Sequence, residues 1–153
     1  MTFVHLHLIL THFPPVLSLE CIVAAAAAQL FRDRRRDLIR LTLLLMIATG
    51  AMMPVIYLAG VRTAAAIGKV EGIQQDAIAP HQQAGLIALC VSIATIIIAA
   101  ILLLAERRRA GLSSSLRLIV LLLAIGLAAT IGWTAALGGA IHHPEIDSRS
   151  RPQ

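Results

Sequence analysis

Histidine is the residue type whose placement in this chain indicates chemistry. Neutral imidazole is a general ligand for haem iron, copper and zinc. Helical bundles build such sites from side chains that project from facing helices. The six histidines all lie near the ends of apolar stretches, at His5, His7, His12, His81, His142 and His143. Their positions predict a metal or haem site.

Four apolar stretches are long enough to position these histidines across a membrane, since a spanning helix needs about 20 apolar residues. They cover residues 8–31, 39–61, 82–105 and 116–141. The chain is 58% hydrophobic and only 14% charged, which excludes an ordinary water-soluble domain. The sequence therefore predicts an all-α fold, a four-transmembrane-helix antiparallel bundle that forms a single domain over residues 1–153.

The first apolar stretch contains a break. Pro14 and Pro15 lack an amide donor and fit best in the first turn of a helix. The regular helix is then expected to begin near His12, with Thr11 as a candidate cap. Residues 1–11 would form a separate apolar arm, packed at the interface or against the bundle. The alternative is one longer, kinked helix.

The net charge of +5 is placed as in a membrane protein rather than a nucleic-acid-binding protein. Nine of the thirteen basic residues form two short clusters at the linkers 32–38 and 106–115: Arg32, Arg34, Arg35, Arg36, Arg40, Arg107, Arg108, Arg109 and Arg117. Basic residues in short loops mark the cytoplasmic side of a membrane. We therefore expect a bilayer and no nucleic acid as partner. Both termini and the loop 62–81 would face outward, on the periplasmic side of a bacterial inner membrane.

This topology brings all six histidines to the outer end of the bundle. The first and third helices can lie diagonally across a four-helix core, so His12 and His81 are the first candidates for an axial pair. A second site would combine His5 or His7 with His142 or His143. Adjacent helical side chains point about 100° apart, so at most one of His142 and His143 can serve a given core site.

Other residues extend the hypothesis. Glu20 is the one acidic residue inside an apolar stretch, where an ionisable group suggests a function such as a proton or quinone path. The alternative is a neutral, hydrogen-bonded Glu20. Glycines at 50, 60, 126, 132, 138 and 139 permit close approach, either of a helix or of a flat macrocycle.

Two stretches resemble a known family. His7-x4-His12-Phe13-Pro14 resembles the H-P-x-x-x-H-F-P opening of small bacterial four-helix membrane proteins, catalogued as a domain of unknown function. The stretch His81-x3-Gly85 resembles the start of that family's third helix. The Gly138-Gly139 pair followed by His142 or His143 resembles its closing motif. This chain has Leu8 in place of a proline and an added His5. The resemblance implies a redox setting, since related domains look like b-type cytochromes and occur beside iron–sulfur modules.

The leading hypothesis is a membrane electron-transfer protein with one or two b-type haems near the outer face. Its ligands would be His12, His81 and one of His142 and His143, and its partner a quinol or a redox protein. No C-x-x-C-H motif is present, which excludes covalent c-type haem. The rival hypotheses are a copper or zinc protein that uses the same histidines, and a structural subunit of a larger respiratory or photosynthetic complex.

Overall fold

Five helices make up the described chain. The structure is a computed structural model that describes residues 3–67, 75–108 and 111–142, with side chains over a slightly smaller range. The helices are α1 (Phe3–Leu10), α2 (Phe13–Leu30), α3 (Arg35–Ile67), α4 (Gln75–Arg108) and α5 (Ser114–His142). Four spans are long and apolar enough to cross a membrane, the first made of α1 and α2 together. This confirms the predicted all-α bundle and a multi-pass membrane protein.

The four long helices pack in a ring. Helix α2 contacts α3 and α5, and α4 contacts the same two helices. No contact joins α2 to α4 among the residues that the structure describes, so these two lie across a diagonal. The short helix α1 packs mainly on α3. The diagonal arrangement of the first and third spans agrees with the expectation from the sequence.

The bundle has apolar residues both inside and outside, as suits a lipid solvent. Leu43, Met46 and Leu127 are fully buried, whereas Val23 and Ile101 are more than half exposed on the outer surface. Hydroxyl residues line part of the interior, among them Ser18, Thr42, Thr49, Ser92 and Thr95. The hydroxyls of Thr42 and Thr49 donate to the carbonyls four residues earlier, which satisfies them within their own helix.

The break before α2 follows from its two prolines. Pro14 and Pro15 cannot donate to the carbonyls of Leu10 and Thr11, so a continuous helix would lose two successive bonds there. Helix α1 ends at Leu10 and α2 begins at Phe13, with the prolines in its first turn. The arm predicted over residues 1–11 is thus a separate helix. The predicted cap Thr11 is not the N-cap of α2, because His12 occupies that position, and the Thr11 hydroxyl donates to the Leu8 carbonyl.

The later helices extend beyond the predicted apolar stretches. Helix α3 runs over 35–67 instead of 39–61, and α4 over 75–108 instead of 82–105. Helical hydrogen bonding does not stop where hydropathy falls, so the helices continue into polar residues. Asp37 lies in the first turn of α3, and Pro80 lies within α4. The spacing of Ile67, Val70 and Ile73 predicts a short interfacial helix in the outer loop, and this segment lies largely outside the described residues.

The two ends of the bundle differ in composition. We call the end that contains α1, His81 and the carboxyl end of α5 the histidine-rich end. The arginine-rich end comprises residues 31–40, 106–108 and 112–117. There Glu106, only 1% exposed, binds Arg36 and Arg40 through its two carboxylate oxygens, with Arg40 Nε at 2.6 Å. This cluster joins α3 to α4.

Candidate cofactor site at the histidine-rich end

His7 is a half-buried residue that attaches α1 to α3. Its Nδ1 lies 3.1 Å from the carbonyl oxygen of Ile56. A carbonyl can only accept a hydrogen bond, so Nδ1 carries the proton that it donates. In a neutral ring Nε2 then holds the free lone pair. His7 is thus in the tautomer that a metal ligand bound through Nε2 requires.

His81 repeats this arrangement on the opposite pair of helices. Its Nδ1 lies 3.0 Å from the carbonyl oxygen of Thr134, which attaches α4 to α5. The same argument assigns the proton to Nδ1 and leaves the lone pair on Nε2. Neither Nε2 has a hydrogen-bond partner among the described residues. Both rings are therefore set for binding through the same nitrogen.

Each imidazole rests on a glycine one turn beyond its carbonyl partner. Gly60 follows Ile56 by four residues, and Gly138 follows Thr134 by four. A Cβ atom at Gly60 would lie 2.9 Å from Cε1 of His7, and one at Gly138 would lie 3.0 Å from Cε1 of His81. Larger residues would push the rings away. The carbonyl and the glycine together form a seat that fixes the position of each ring.

The two seats lie beside the same residue of α4. Tyr57, the residue after Ile56, packs beside Gly85, one turn along α4 from His81. Thr134 also approaches Gly85 through its methyl group. Residues next to both seats, on α3 and α5, therefore meet at Gly85.

The structure distributes the other predicted site residues differently. His12 lies at the start of α2 with an exposed side chain and no side-chain capping bond, whereas His7 is half-buried and bonded to the Ile56 carbonyl. The pairing of His12 with His81 stays a prediction. His5 is exposed on α1. His142 ends α5 but its side chain, like all of His143, lies outside the described part of the molecule.

Glu20 lies on the outer surface of α2. Its neighbours along this face, Leu19 and Val23, are 60% and 68% exposed, and Glu20 is exposed between them. The next residue, Cys21, is buried in the core. Glu20 therefore faces the surroundings of the bundle rather than its interior. The carboxyl group is accessible from the lipid side.

Three or more His, Cys, Asp or Glu side chains do not come together as a metal site anywhere in the described chain. Haem needs only two protein ligands, because the macrocycle supplies four nitrogen ligands, and paired histidines are among its established axial sets. Ligating histidines commonly donate their second ring nitrogen to a backbone carbonyl. His7 and His81 each have the tautomer that such ligation requires.

Comparisons with known proteins add no support for or against a function. No family model matches this chain, and neither a curated protein nor a solved structure matches it. The resemblance to small four-helix membrane proteins accordingly rests on its short motifs.

Some contributions to the site had no signal in the sequence. The carbonyls of Ile56 and Thr134 are backbone atoms, which any residue at those positions would supply. Gly60 and Gly138 were visible as points of close approach, but the sequence did not indicate that imidazoles would occupy the space. At the other end, Glu106 could have been noticed as an acidic residue that directly precedes an arginine run.

Proposed function

We propose that this protein is a b-type cytochrome-like electron-transfer protein of a membrane, in which His7 and His81 bind one haem. The observation that carries the proposal is the matched state of the two imidazoles. Each donates Nδ1–H to a carbonyl, each rests on a glycine, and each has Nε2 left for a ligand. The proposal replaces the pair His12 and His81 as first choice.

The seats favour a ligand role over a merely interfacial one. A surface imidazole at a membrane interface samples several rotamers and bonds to water. Here two residues far apart in sequence have the same ring nitrogen bonded and the same kind of backbone contact. A hydrogen bond at Nδ1 makes Nε2 more basic. The same hydrogen bond fixes the orientation of the imidazole ring. Such preorganisation leaves Nε2 of each ring ready for a ligand.

When bound, haem would supply one-electron chemistry, and the protein would supply binding, orientation and electrostatics. The carbonyls of Ile56 and Thr134 increase electron donation from the imidazoles, which favours an oxidised metal. Gly60 and Gly138 keep the rings close to the helix backbones. A second haem would draw its ligands from His5, His142 and His143.

The orientation and partner belong to the same proposal. The arginines in short linkers support an orientation with the arginine-rich end in the cytoplasm and the histidine-rich end on the outer face of a bacterial inner membrane. The electron donor or acceptor would then be a quinol dissolved in the lipid or a redox protein, alone or within a larger complex. Glu20, on the lipid-facing surface of α2, is a candidate proton acceptor for a quinol.

A structural role for the histidines is the second candidate. Each ring bond joins two different helices, His7 linking α1 to α3 and His81 linking α4 to α5. Bonds of this kind stabilise helix association by about 0.6 to 2 kcal/mol in membranes. In that case no bound group is required, and replacement of either histidine would have a single effect, a lower stability of the bundle. Copper or zinc bound through the same rings is distinguished by metal content.

The deciding experiment is a visible spectrum of the protein produced with an ample haem supply and purified in mild detergent. We expect a Soret band and a sharp α band on reduction, both lost in His7→Ala and in His81→Ala. His12→Ala is the matched control and should retain both bands. A colourless wild type with a full complement of helix would contradict the haem proposal, and bound copper or zinc in that sample would favour the alternative metal.

A further inference from the structure

All the excess positive charge of the molecule lies at the arginine-rich end. The described residues there include eight arginines and three carboxylates, those of Asp33, Asp37 and Glu106. By contrast, the loop 62–81 and the tail 142–153 each contain as many acidic as basic residues. This end therefore presents a strong positive field to whatever borders it.

Internal contacts use only part of this charge. Arg36 and Arg40 bind Glu106, while Arg35 and Arg117 bind backbone carbonyls. Four further arginines are exposed and make no ion pair with any described carboxylate: Arg32, Arg34, Arg107 and Arg108. They remain available to a ligand with negative charge.

An apolar groove opens on the same half of the bundle, between α4 and α5. Its volume is about 250 Å³, and its walls include Thr95, Ile119, Leu122, Gly126 and Leu127. Ile119 lies five residues from the start of α5 and Gly126 lies twelve, which corresponds to depths of about 8 and 18 Å along the helix. Those depths match the acyl layer of one leaflet, whose hydrocarbon half is about 15 Å thick.

We propose that this half of the bundle binds an anionic phospholipid from the leaflet at the arginine-rich end. Its phosphate is held by Arg107 and Arg108, which end the helix that forms one wall of the groove, and one acyl chain lies in the groove. Guanidinium groups bind phosphate through paired, charge-assisted hydrogen bonds. Basic sites between membrane helices bind anionic headgroups by the same chemistry. The proposal is independent of haem.

The absence of a side chain at Gly126 keeps the groove open. A Cβ atom there would meet no other atom within 4 Å, so a larger residue fits without strain and fills the space. Gly132 lies on the same helix and has equally free surroundings, but it does not line the groove. Gly126→Leu and Gly132→Leu are therefore a matched pair of variants.

The experiment is native mass spectrometry of the whole protein in mild detergent, supplied with equal amounts of phosphatidylglycerol and phosphatidylcholine. We expect wild type to retain the anionic lipid on the order of tenfold better, because two nearby basic residues attract it. The double variant Arg107→Gln, Arg108→Gln should bring the ratio close to one, whereas Arg62→Gln at the other end should not change it. Gly126→Leu should reduce retention of both lipids, whereas Gly132→Leu should retain them as well as wild type does.

Two results would overturn the proposal. One is equal retention of the two lipids by wild type, which needs no variant to fold. The other is displacement of phosphatidylglycerol by inorganic phosphate at a similar concentration, since this would identify a simple anion site without a contribution from the acyl chain.

Discussion

The two ends of the bundle treat their polar side chains in opposite ways. At the arginine-rich end both carboxylate oxygens of buried Glu106 form an ion pair with an arginine. At the histidine-rich end each half-buried imidazole is bonded on one nitrogen only. The first arrangement completes itself within the chain. In the second, Nε2 of each ring has no hydrogen-bond partner among the described residues.

This difference separates a structural function from a binding function. Glu106 and its arginines join α3 to α4, so their loss is expected to affect stability. The seated histidines contribute little to the core, so their loss is expected to affect binding. Variants at the two ends therefore distinguish the roles, provided that stability and cofactor content are measured on the same samples.

The largest expected effect is complete loss of a bound haem. His81→Ala should abolish the reduced α band while the helix content by circular dichroism stays unchanged, because one axial ligand is removed and little packing is lost. His12→Ala, exposed at the start of α2, is the control. Loss of helix together with colour in His81→Ala would instead assign this ring to the structural role.

The second-largest expected effect is a loss of stability when both arginine partners of Glu106 are replaced. Arg36→Gln combined with Arg40→Gln leaves a buried carboxylate without a counter-ion, which costs about 3 to 5 kcal/mol of unfolding free energy. Denaturation in mixed micelles, followed by circular dichroism, measures the change. Adding Glu106→Gln to this variant should restore most of the stability. A haem spectrum that changes in the same variant would contradict the assignment of separate roles to the two ends.

A smaller effect is expected at the glycine seats. Gly138→Ala places a Cβ atom 3.0 Å from Cε1 of His81, and such overpacking costs about 1 to 3 kcal/mol. The expected result is weaker haem retention and a shifted spectrum. Gly139→Ala is the neighbouring control, since its Cβ meets nothing within 4 Å. Equal behaviour of the two variants would show that the His81 seat is unimportant.

The smallest effect concerns a helix start at the arginine-rich end. The Ser113 hydroxyl accepts a hydrogen bond from the Leu116 amide, at 3.3 Å, as an N-terminal cap of α5. Ser113→Ala should therefore cost about 0.5 to 1 kcal/mol in the same denaturation assay. Ser115→Ala, two residues further on, is the control and should change stability less. Haem content should not respond to either change.

Much of the fold was predictable because membrane helices obey strong local constraints. A bilayer requires long apolar stretches with internally bonded backbones, so composition alone indicates four spans. The split between α1 and α2 also followed from Pro14 and Pro15. The helix ends were less predictable, because helical hydrogen bonding continues into polar residues beyond the apolar stretches. The hydrogen bond of His7 to α3 was not predictable, since it depends on how α1 packs against α3.

The sequence by itself determined that this chain forms membrane-spanning helices, where they break, and that histidines gather at one end and arginines at the other. These properties follow from hydropathy, proline chemistry and the position of charge along the chain. Only the tertiary structure decided which atoms meet. The carbonyls of Ile56 and Thr134 and the space above Gly60 and Gly138 select His7 and His81, because ring orientation depends on the rotation and depth of neighbouring helices.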